Sequence, residues 1–383
     1  MKSVRDIPVF QDIPILVRAA FNEPVENGVV SNSFRVKRSV ATLQFLEERH
    51  ARIVVISHIG QQGTETLKPV ADLLGDMMRG VVFCPTTVGE EARAAIRALP
   101  PGGILILENL RRNRGEVMND PAFAAELALL ADVFVQDSFD TCHREHASMI
   151  GVPKLLPSYA GLQLEDEIKA LTAALTPEAP SLAVIGGAKF ESKEPVLEKL
   201  LGIYSHVFVG GALANDFLKA SGKPVGQSLV SDTTSDDHIK ALLAHANLVI
   251  PIDSVVVPKS AIGSMDINAH MTPRAVGEVK DDEVILDHGL GTTALLVDLV
   301  KNAKTILWNG PMGNYENGFI HATDALARAV AANGTHAVVG GGDTVASIEN
   351  LGLLQKFAFV STGGGAMLEF LAKGSLPGIS VLG

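Results

Sequence analysis

The sequence has few cysteines, no long apolar run and no excess of positive charge. Its two cysteines in 383 residues indicate no disulfide framework, which is typical of a reducing cytoplasm. No apolar stretch approaches the ~18 residues of a membrane helix, and residues 1–6 lack the apolar core of a signal peptide. A net charge of −11 argues against nonspecific nucleic-acid binding. We therefore expect a cytoplasmic protein with neither nucleic acid nor membrane as a partner.

Short aliphatic runs alternate along the chain with helix-like stretches. Runs such as 53–56 and 182–185 are continuously apolar, as in strands that are buried on both faces. This alternation predicts parallel βαβ units and an α/β fold. A length of 383 residues suits about two domains. A helix-like segment at 163–171, which ends before Pro177 and Pro180, marks the joint between them.

Basic side chains follow the predicted strands of the first half. In open α/β sheets ligands bind beyond the carboxyl ends of the strands, and arginine forks match carboxylate and phosphate oxygens. The set suggests a site for a small anion, although ordinary solvated surface arginines remain the alternative for each one. The residues are Arg18, Asn22, Arg35, His58, Asn109, Arg111, His143 and Arg144.

Glycine-rich turns follow the predicted strands of the second half. The triplets at 340–342 and 363–365 each come after an apolar run and before a helix-like segment. Glycine lets backbone N–H groups approach a ligand, and a helix N-terminus favours anions. One triplet could be only a tight turn, but two, together with Asp343 as a possible metal ligand, suggest a nucleotide phosphate site. The sequence contains neither a P-loop nor a dinucleotide-binding fingerprint, so the predicted nucleotide site belongs to neither of these two classes.

These segments together resemble phosphoglycerate kinases along nearly the whole chain. Residues 16–24, 57–60, 107–111 and 137–144 are similar to the substrate loops of that family, and 186–193, 308–313, 340–343 and 361–366 to its nucleotide-side motifs. The resemblance implies two Rossmann-like parallel-sheet domains that face a cleft and are joined by an interdomain helix. The implied divisions are an acid-substrate domain at 1–162 with a tail at 374–383, the helix at 163–175, and a nucleotide-binding domain at 176–373.

The resemblance also implies the reaction of 1,3-bisphosphoglycerate with MgADP, which gives 3-phosphoglycerate and MgATP, in a monomeric enzyme. It implies catalytic roles for Arg35, Lys193, Gly363 and Gly364. The implied acid-binding residues are Ala20, Phe21, Asn22, Arg35, His58, Ile59, Gly60, Gln61, Arg111 and Arg144. The implied nucleotide-binding residues are Gly187, Lys189, Lys193, Gly211, Gly289, Asn309, Pro311, Glu316, Gly341, Gly342, Asp343 and Thr344, with Asp343 beside Mg²⁺ and Glu316 on the ribose.

The chain departs from the family pattern mainly on the acid side. The family has Asp where Ala20 stands, Arg where Gln61 stands, and Gly where Asp140 stands. Ser192 also replaces the usual Asp before Lys193. Two alternatives therefore stay open: a kinase of the same fold with a different acid acceptor, and a noncatalytic nucleotide-binding or scaffold protein.

Overall fold

The computed structural model describes residues 1–188, 190–231 and 236–383. These residues form two compact units, one of Met1–Lys169 with Lys373–Gly383 and one of Ala170–Ala372. None of the helices in the described ranges has the length and apolar character that spanning a membrane requires.

The first unit is built on a parallel sheet with the strand order β5-β6-β4-β1-β7-β8. Its strands are β1 (Pro14–Ala19), β2 (Val25–Glu26), β3 (Val29–Val30), β4 (Arg52–Ile56), β5 (Val81–Cys84), β6 (Ile104–Leu107), β7 (Val133–Asp137) and β8 (Ser158–Ala160). Strands β2 and β3 form a separate hairpin. The aliphatic runs are continuous because both faces are covered: in β4, Ile53 and Val55 join one apolar cluster, whereas Val54 and Ile56 join another.

The second unit contains a parallel sheet with the order β11-β10-β9-β15-β16-β17 and an antiparallel sheet with the order β13-β12-β14. Its strands are β9 (Ser181–Ile185), β10 (His206–Val209), β11 (Leu248–Val249), β12 (Asp253–Pro258), β13 (Thr272–Ala275), β14 (Glu283–His288), β15 (Thr305–Asn309), β16 (His336–Gly340) and β17 (Phe359–Val360). The α/β prediction, with a parallel sheet in each half, is confirmed. The antiparallel sheet was not predicted.

Helices follow most of the parallel strands. In the described residues they are α1 (Phe34–Glu47), α2 (Lys68–Met77), α3 (Glu90–Ala98), α4 (Arg114–Val117), α5 (Pro121–Ala128), α6 (Leu162–Ala174), α7 (Glu194–Leu201), α8 (Leu213–Ala220), α9 (Asp236–Leu243), α10 (Leu290–Asn302), α11 (His321–Asn333), α12 (Gly342–Asn350), α13 (Gly364–Lys373) and α14 (Pro377–Ser380). The division between the units falls inside α6. The buried carboxyl group of Asp137 caps the start of that helix, since its Oδ1 accepts hydrogen bonds from the N–H groups of Gln163 and Leu164.

Candidate functional site

The loops after β6, β4, β1 and β7 meet at one edge of the first sheet, because these strands are parallel neighbours. Gly60 N–H donates to Asn22 Oδ1 at 2.9 Å, and Phe21 N–H donates to Ser57 Oγ at 3.1 Å. Arg111 Nη1 donates to the carbonyl of Gly60. The structure thus brings together acid-site candidates that lie up to 90 residues apart in the numbering.

Arg18 lies at the centre of these loops and is wholly buried. Its Nη2 lies 2.8 Å from His58 Nδ1. Because a guanidinium only donates, Nδ1 must accept, and the proton of the neutral imidazole then sits on Nε2. Burial and the charge of Arg18 hold the pKa of His58 well below its ordinary value. His58 is therefore a neutral side chain whose remaining polar group is an N–H donor.

The cations of this region act on one another. Burial, together with the charges of Arg111, Arg18 and Arg144, lowers the pKa of His146 to about 4. Burial and the charge of Arg18 also lower the pKa of Arg111, and Arg144 adds to this effect. A group of positive charges that repel one another is stabilised by an incoming anion. The arrangement supports the anion-site hypothesis over separate solvated arginines.

Arg35 is held in place by Glu23. Its Nη1 donates to the carbonyl of Asn22 at 2.7 Å and to Glu23 Oε2 at 3.1 Å, and its backbone N–H donates to Glu23 Oε1 at 2.6 Å. Glu23 is 4% exposed, and its burial raises the pKa of this carboxyl to about 7 despite the opposing effect of Arg35. Sequence reasoning missed Glu23, since nothing in a separation of 12 residues indicates that the two side chains meet.

The residues that depart from the family pattern have different surroundings. Ala20 is wholly buried in the loop after β1. Gln61 is exposed, and its Oε1 accepts a hydrogen bond from Arg111 Nη1 at 3.1 Å. Asp140 is half-buried in the turn after β7. Gln61 and Asp140 thus both lie close enough to the cations to influence what binds them.

In the second unit the glycine turns after β9, β10 and β15 converge. Gly186 N–H donates to the Asn309 carbonyl at 2.8 Å, and Gly187 N–H donates to the Pro311 carbonyl at 3.1 Å. A Cβ added to Gly211, whose φ is +63°, would lie only 2.7 Å from Gly187 N. Strands β9 and β15 are adjacent where the chain order of the sheet reverses, which is where open α/β sheets bind ligands.

The two glycine triplets come together beside these turns. A Cβ on Gly364 would lie 3.1 Å from the Cα of Gly341, and Asn309 Nδ2 donates to the Gly364 carbonyl at 3.3 Å. Gly341 has a φ of +104° and directly precedes α12, while Gly364 begins α13. Two helix N-termini therefore lie side by side, each with backbone N–H groups that have no partner within their own helix.

A cavity of about 690 Å³ opens within this unit. Its predicted lining residues are Gly187, Gly211, Pro311, Glu316 and Asp343. Other lining residues, which sequence reasoning missed, form an apolar wall: Leu229, Ile262, Val284 and Leu286. Most of this wall comes from the antiparallel sheet and its loops, which carry no recognisable motif. A combined apolar wall and glycine edge suits a ligand that is aromatic at one end and anionic at the other.

Three further nucleotide-site candidates differ in their placement. Lys193 is nearly buried at the start of α7, and a Cβ on Gly187 would lie 3.2 Å from its Nζ. Lys189 lies outside the described residues. Gly289 directly precedes α10, but a Cβ there would lie 2.3 Å from the carboxylate of Asp253, which already accepts hydrogen bonds from the first N–H groups of that helix. Gly289 therefore lies against Asp253, and it is not part of the cavity wall.

Asp343 and Glu316 both line the cavity. Burial raises the pKa of Asp343, and the negative charge of Glu316 raises it further. A cation would relieve this cost. Within the described ranges no group of three or more acidic, histidine or cysteine side chains could enclose a metal. One or two carboxylates without a full protein cage fit Mg²⁺, which takes its other ligands from water and phosphates.

Comparison with known proteins gives a consistent result. The family model described as phosphoglycerate kinase matches residues 4–374. The phosphoglycerate kinase of Rubrobacter xylanophilus is 41% identical over 393 residues, covering 100% of this chain and 98% of the relative. That of a Thermus thermophilus strain is 42% identical over 378 residues, covering 96% of each.

Solved structures agree with the sequence relatives. The phosphoglycerate kinase structure from Coxiella burnetii has a TM-score of 0.81 at 35% identity and covers 99% of this chain and 98% of its own. The one from Pyrococcus horikoshii has a TM-score of 0.88 at 28% identity and covers 100% and 98%.

Proposed function

Because the chain belongs to the phosphoglycerate kinase family, we propose that it transfers a phosphoryl group between 1,3-bisphosphoglycerate and MgADP, giving 3-phosphoglycerate and MgATP. The observation that supports this most strongly is the buried Arg18–His58 pair with its surrounding cations. The positive charges around this pair repel one another, and a bound phosphate anion would relieve that repulsion.

On the acid side, the phosphate of 3-phosphoglycerate binds to the guanidinium groups of Arg111 and Arg144, which match its oxygens in charge and geometry. His58 donates its Nε2–H, and Asn22 holds the loop of Gly60 through the hydrogen bond described above. The backbone of the loops contributes the remaining contacts, through Ala20, Phe21, Ile59, Gly60 and Gln61.

On the nucleotide side, the base lies against the apolar wall and the phosphates lie against the glycine turns. Glu316, which is exposed at the cavity wall, binds the ribose hydroxyls. Lys193 and the segment Gly341 to Thr344 hold the phosphates, together with Gly187, Gly211, Asn309 and Pro311. Asp343 would hold Mg²⁺, which when bound would neutralise charge on the phosphate oxygens.

In the ATP-consuming direction the nucleophile is the carboxylate of 3-phosphoglycerate. It is already ionised at neutral pH, so no general base is needed, and catalysis reduces to alignment and charge neutralisation. A carboxylate oxygen bonds to the γ-phosphorus as the bond to the ADP oxygen breaks. Arg35 and Lys193 stabilise the phosphoryl group in transit.

The glycine triplet of α13 adds backbone donors to this step. Gly363 N–H donates to Ser361 Oγ at 3.2 Å and must leave that bond to meet a phosphoryl oxygen. Gly364 N–H makes no such bond within the described residues, so it can donate to a phosphoryl oxygen without first breaking another hydrogen bond. We assign both glycines to the catalytic group, with Gly364 as the stronger contributor.

The test is an assay of the full chain with 3-phosphoglycerate and MgATP that reports ADP formation. We expect saturable turnover that depends on both substrates. We also expect light scattering on the same preparation to give the mass of a monomer. Turnover only with another acid would replace the acceptor assignment. Nucleotide binding without turnover with any small acid would overturn the enzyme proposal in favour of a noncatalytic protein.

A further inference from the structure

The cationic cluster of the first unit, which consists of Arg18, Arg111 and Arg144, also has an acidic side chain, Asp140, close to it. Arg18 is wholly buried, and no carboxylate bonds to it directly in the part of the chain that the structure describes. A buried charge without a counter-charge is costly. The neighbours of Arg18 show where its counter-charges lie.

Two serine hydroxyls connect Arg18 to two carboxylates. Its Nε donates to Ser148 Oγ at 3.1 Å, and Ser148 Oγ donates to Glu116 Oε1 at 2.6 Å. Its Nη1 lies 3.4 Å from Ser138 Oγ, which donates to Asp140 Oδ1 at 2.6 Å. Each acid is therefore separated from the guanidinium by a single hydroxyl group.

The two acids differ in accessibility. Glu116 is 1% exposed and also accepts a hydrogen bond from Ser148 N–H at 3.0 Å, so both of its oxygens are used inside the fold. Asp140 is half-buried, in the loop that also carries Arg144. A ligand can approach Asp140 but cannot approach Glu116.

The charge of Asp140 acts on the same cations that are assigned to the ligand. Its negative charge raises the pKa of Arg18 and of Arg111, in each case against the larger lowering effect of burial. Asp140 therefore already supplies part of the negative charge that these guanidinium groups would otherwise obtain from a bound phosphate. The carboxylate and an arriving phosphate also repel each other.

We propose that Asp140 is an internal counter-anion of the cationic cluster and that it weakens the binding of phosphate-bearing acids, which makes it a specificity-determining residue of the acid site. The choice of 3-phosphoglycerate as the ligand rests on the proposed function. The effect on a plain phosphate anion does not, because it depends only on the charges around Arg18.

The experiment compares the full chain with Asp140→Asn, Asp140→Gly and a control, Glu126→Gln. Asparagine keeps an Oδ1 that can accept from Ser138 and removes only the charge. Glu126 is exposed on α5 in the same unit, so its substitution changes the net charge equally. Thermal-shift titrations with inorganic phosphate at low ionic strength give the affinities, and the assay of ADP formation is run separately on the wild-type chain.

We expect Asp140→Asn and Asp140→Gly to bind phosphate about tenfold more tightly than the wild-type chain, and the gain to shrink as KCl is added. Glu126→Gln should stay within about twofold of wild type because screening removes most of a distant surface charge. Equal or weaker phosphate binding by Asp140→Asn would overturn the proposal, as would an equal gain in Glu126→Gln or no phosphate binding by any of the proteins.

The proposed function and the proposed role of Asp140 are rejected by different results. Absence of wild-type turnover rejects the proposed function and leaves the phosphate comparison to decide the role of Asp140. If Asp140→Asn lowers the melting temperature of the unliganded chain, Asp140→Gly provides the same comparison in a turn that no longer carries a side chain.

Discussion

The two candidate sites use opposite means to bind anions. In the first unit the charge is carried by the side chains of the wholly buried Arg18, the partly buried Arg111 and the exposed Arg144. In the second unit the described anion-favouring groups are mostly backbone N–H groups at glycine turns and helix starts. A side-chain site can be retuned by one substitution, as Gln61 and Asp140 suggest, whereas a backbone site tolerates few changes. The three acid-side departures from the family pattern, Ala20, Gln61 and Asp140, all lie in the first unit.

The largest expected effect comes from removing a side-chain charge that we propose to stabilise the transferred phosphoryl group. Arg35→Ala should lower kcat and kcat/KM together by about 10²–10³, with little change in the KM of the nucleotide. Steady-state kinetics with both substrates varied is the measurement. Lys37→Ala, which removes an exposed cation of the same helix, is the matched control.

Two other outcomes would contradict this role for Arg35. A raised KM for the acid with unchanged kcat would make Arg35 an anchor for the substrate only. A kcat within twofold of the parent would reject the catalytic assignment. The double variant Arg35→Ala with Glu23→Gln shows whether a loss of activity comes only from leaving the buried Glu23 without its partner.

A methyl group at a glycine of the second unit should weaken nucleotide binding by a steric clash. The expected loss is smaller than the loss of kcat in Arg35→Ala. In Gly211→Ala the added Cβ meets Gly187 N, and φ is positive, so we expect MgADP affinity to fall roughly tenfold to a hundredfold. Gly352→Ala is the control, because its φ is +67° with nothing within 4 Å of the added Cβ. If calorimetry gave both variants the same MgADP affinity, close backbone approach would not be the basis of the site.

Adding a positively charged side chain to the site of the first unit should strengthen its binding of the acid substrate. Gln61→Arg should tighten binding of 3-phosphoglycerate by about tenfold, since one charge-assisted hydrogen bond is worth roughly 1.5–3 kcal/mol. Calorimetry on this variant and on Gln62→Arg, an exposed neighbour, separates a local contact from a general charge effect. An unchanged affinity would mean that position 61 does not face the ligand or that Arg111, its present partner, already suffices.

The smallest expected effect concerns two aspartate side chains, Asp137 and Asp253, that accept hydrogen bonds at the start of helices. Burial raises the pKa of Asp137 to about 8, whereas hydrogen bonds from Thr292 and Gly291 lower the pKa of Asp253 despite its partial burial. The raised value means that the stability from Asp137 is full at acid pH and is lost as pH rises towards 8. The lowered value for Asp253 means that its contribution is present at neutral pH and is lost in acid.

Melting temperatures at pH 6 and pH 9 test this difference. The wild-type chain should lose a few degrees more than Asp137→Asn between these values, because asparagine has no proton to lose. Asp253→Asn should lower the melting temperature at both values. Equal losses in wild type and Asp137→Asn would show that Asp137 does not titrate in this range.

The sequence predicts the parallel strands and the glycine turns well, because both are local signals. Continuous apolar runs such as those of β4 and β6 need no knowledge of their partners, and a triplet before a helix is visible in the sequence. The hydrogen bond from Arg18 to Ser148 is not predictable in this way, since the two residues lie 130 positions apart, and neither is the bond from Ser148 to Glu116. The apolar cavity wall was missed because β12 and β14 have ordinary burial patterns without a motif.

The contrast between the two sites is tested most directly by calorimetry of the full chain with 3-phosphoglycerate and with MgADP at low and high KCl. Charges on exposed and half-buried side chains are screened by salt, whereas backbone hydrogen bonds are affected less. The affinity for 3-phosphoglycerate should fall several times more than that for MgADP between about 20 and 200 mM KCl. An equal fall for both ligands would contradict the claim that side-chain charge binds one and backbone geometry the other.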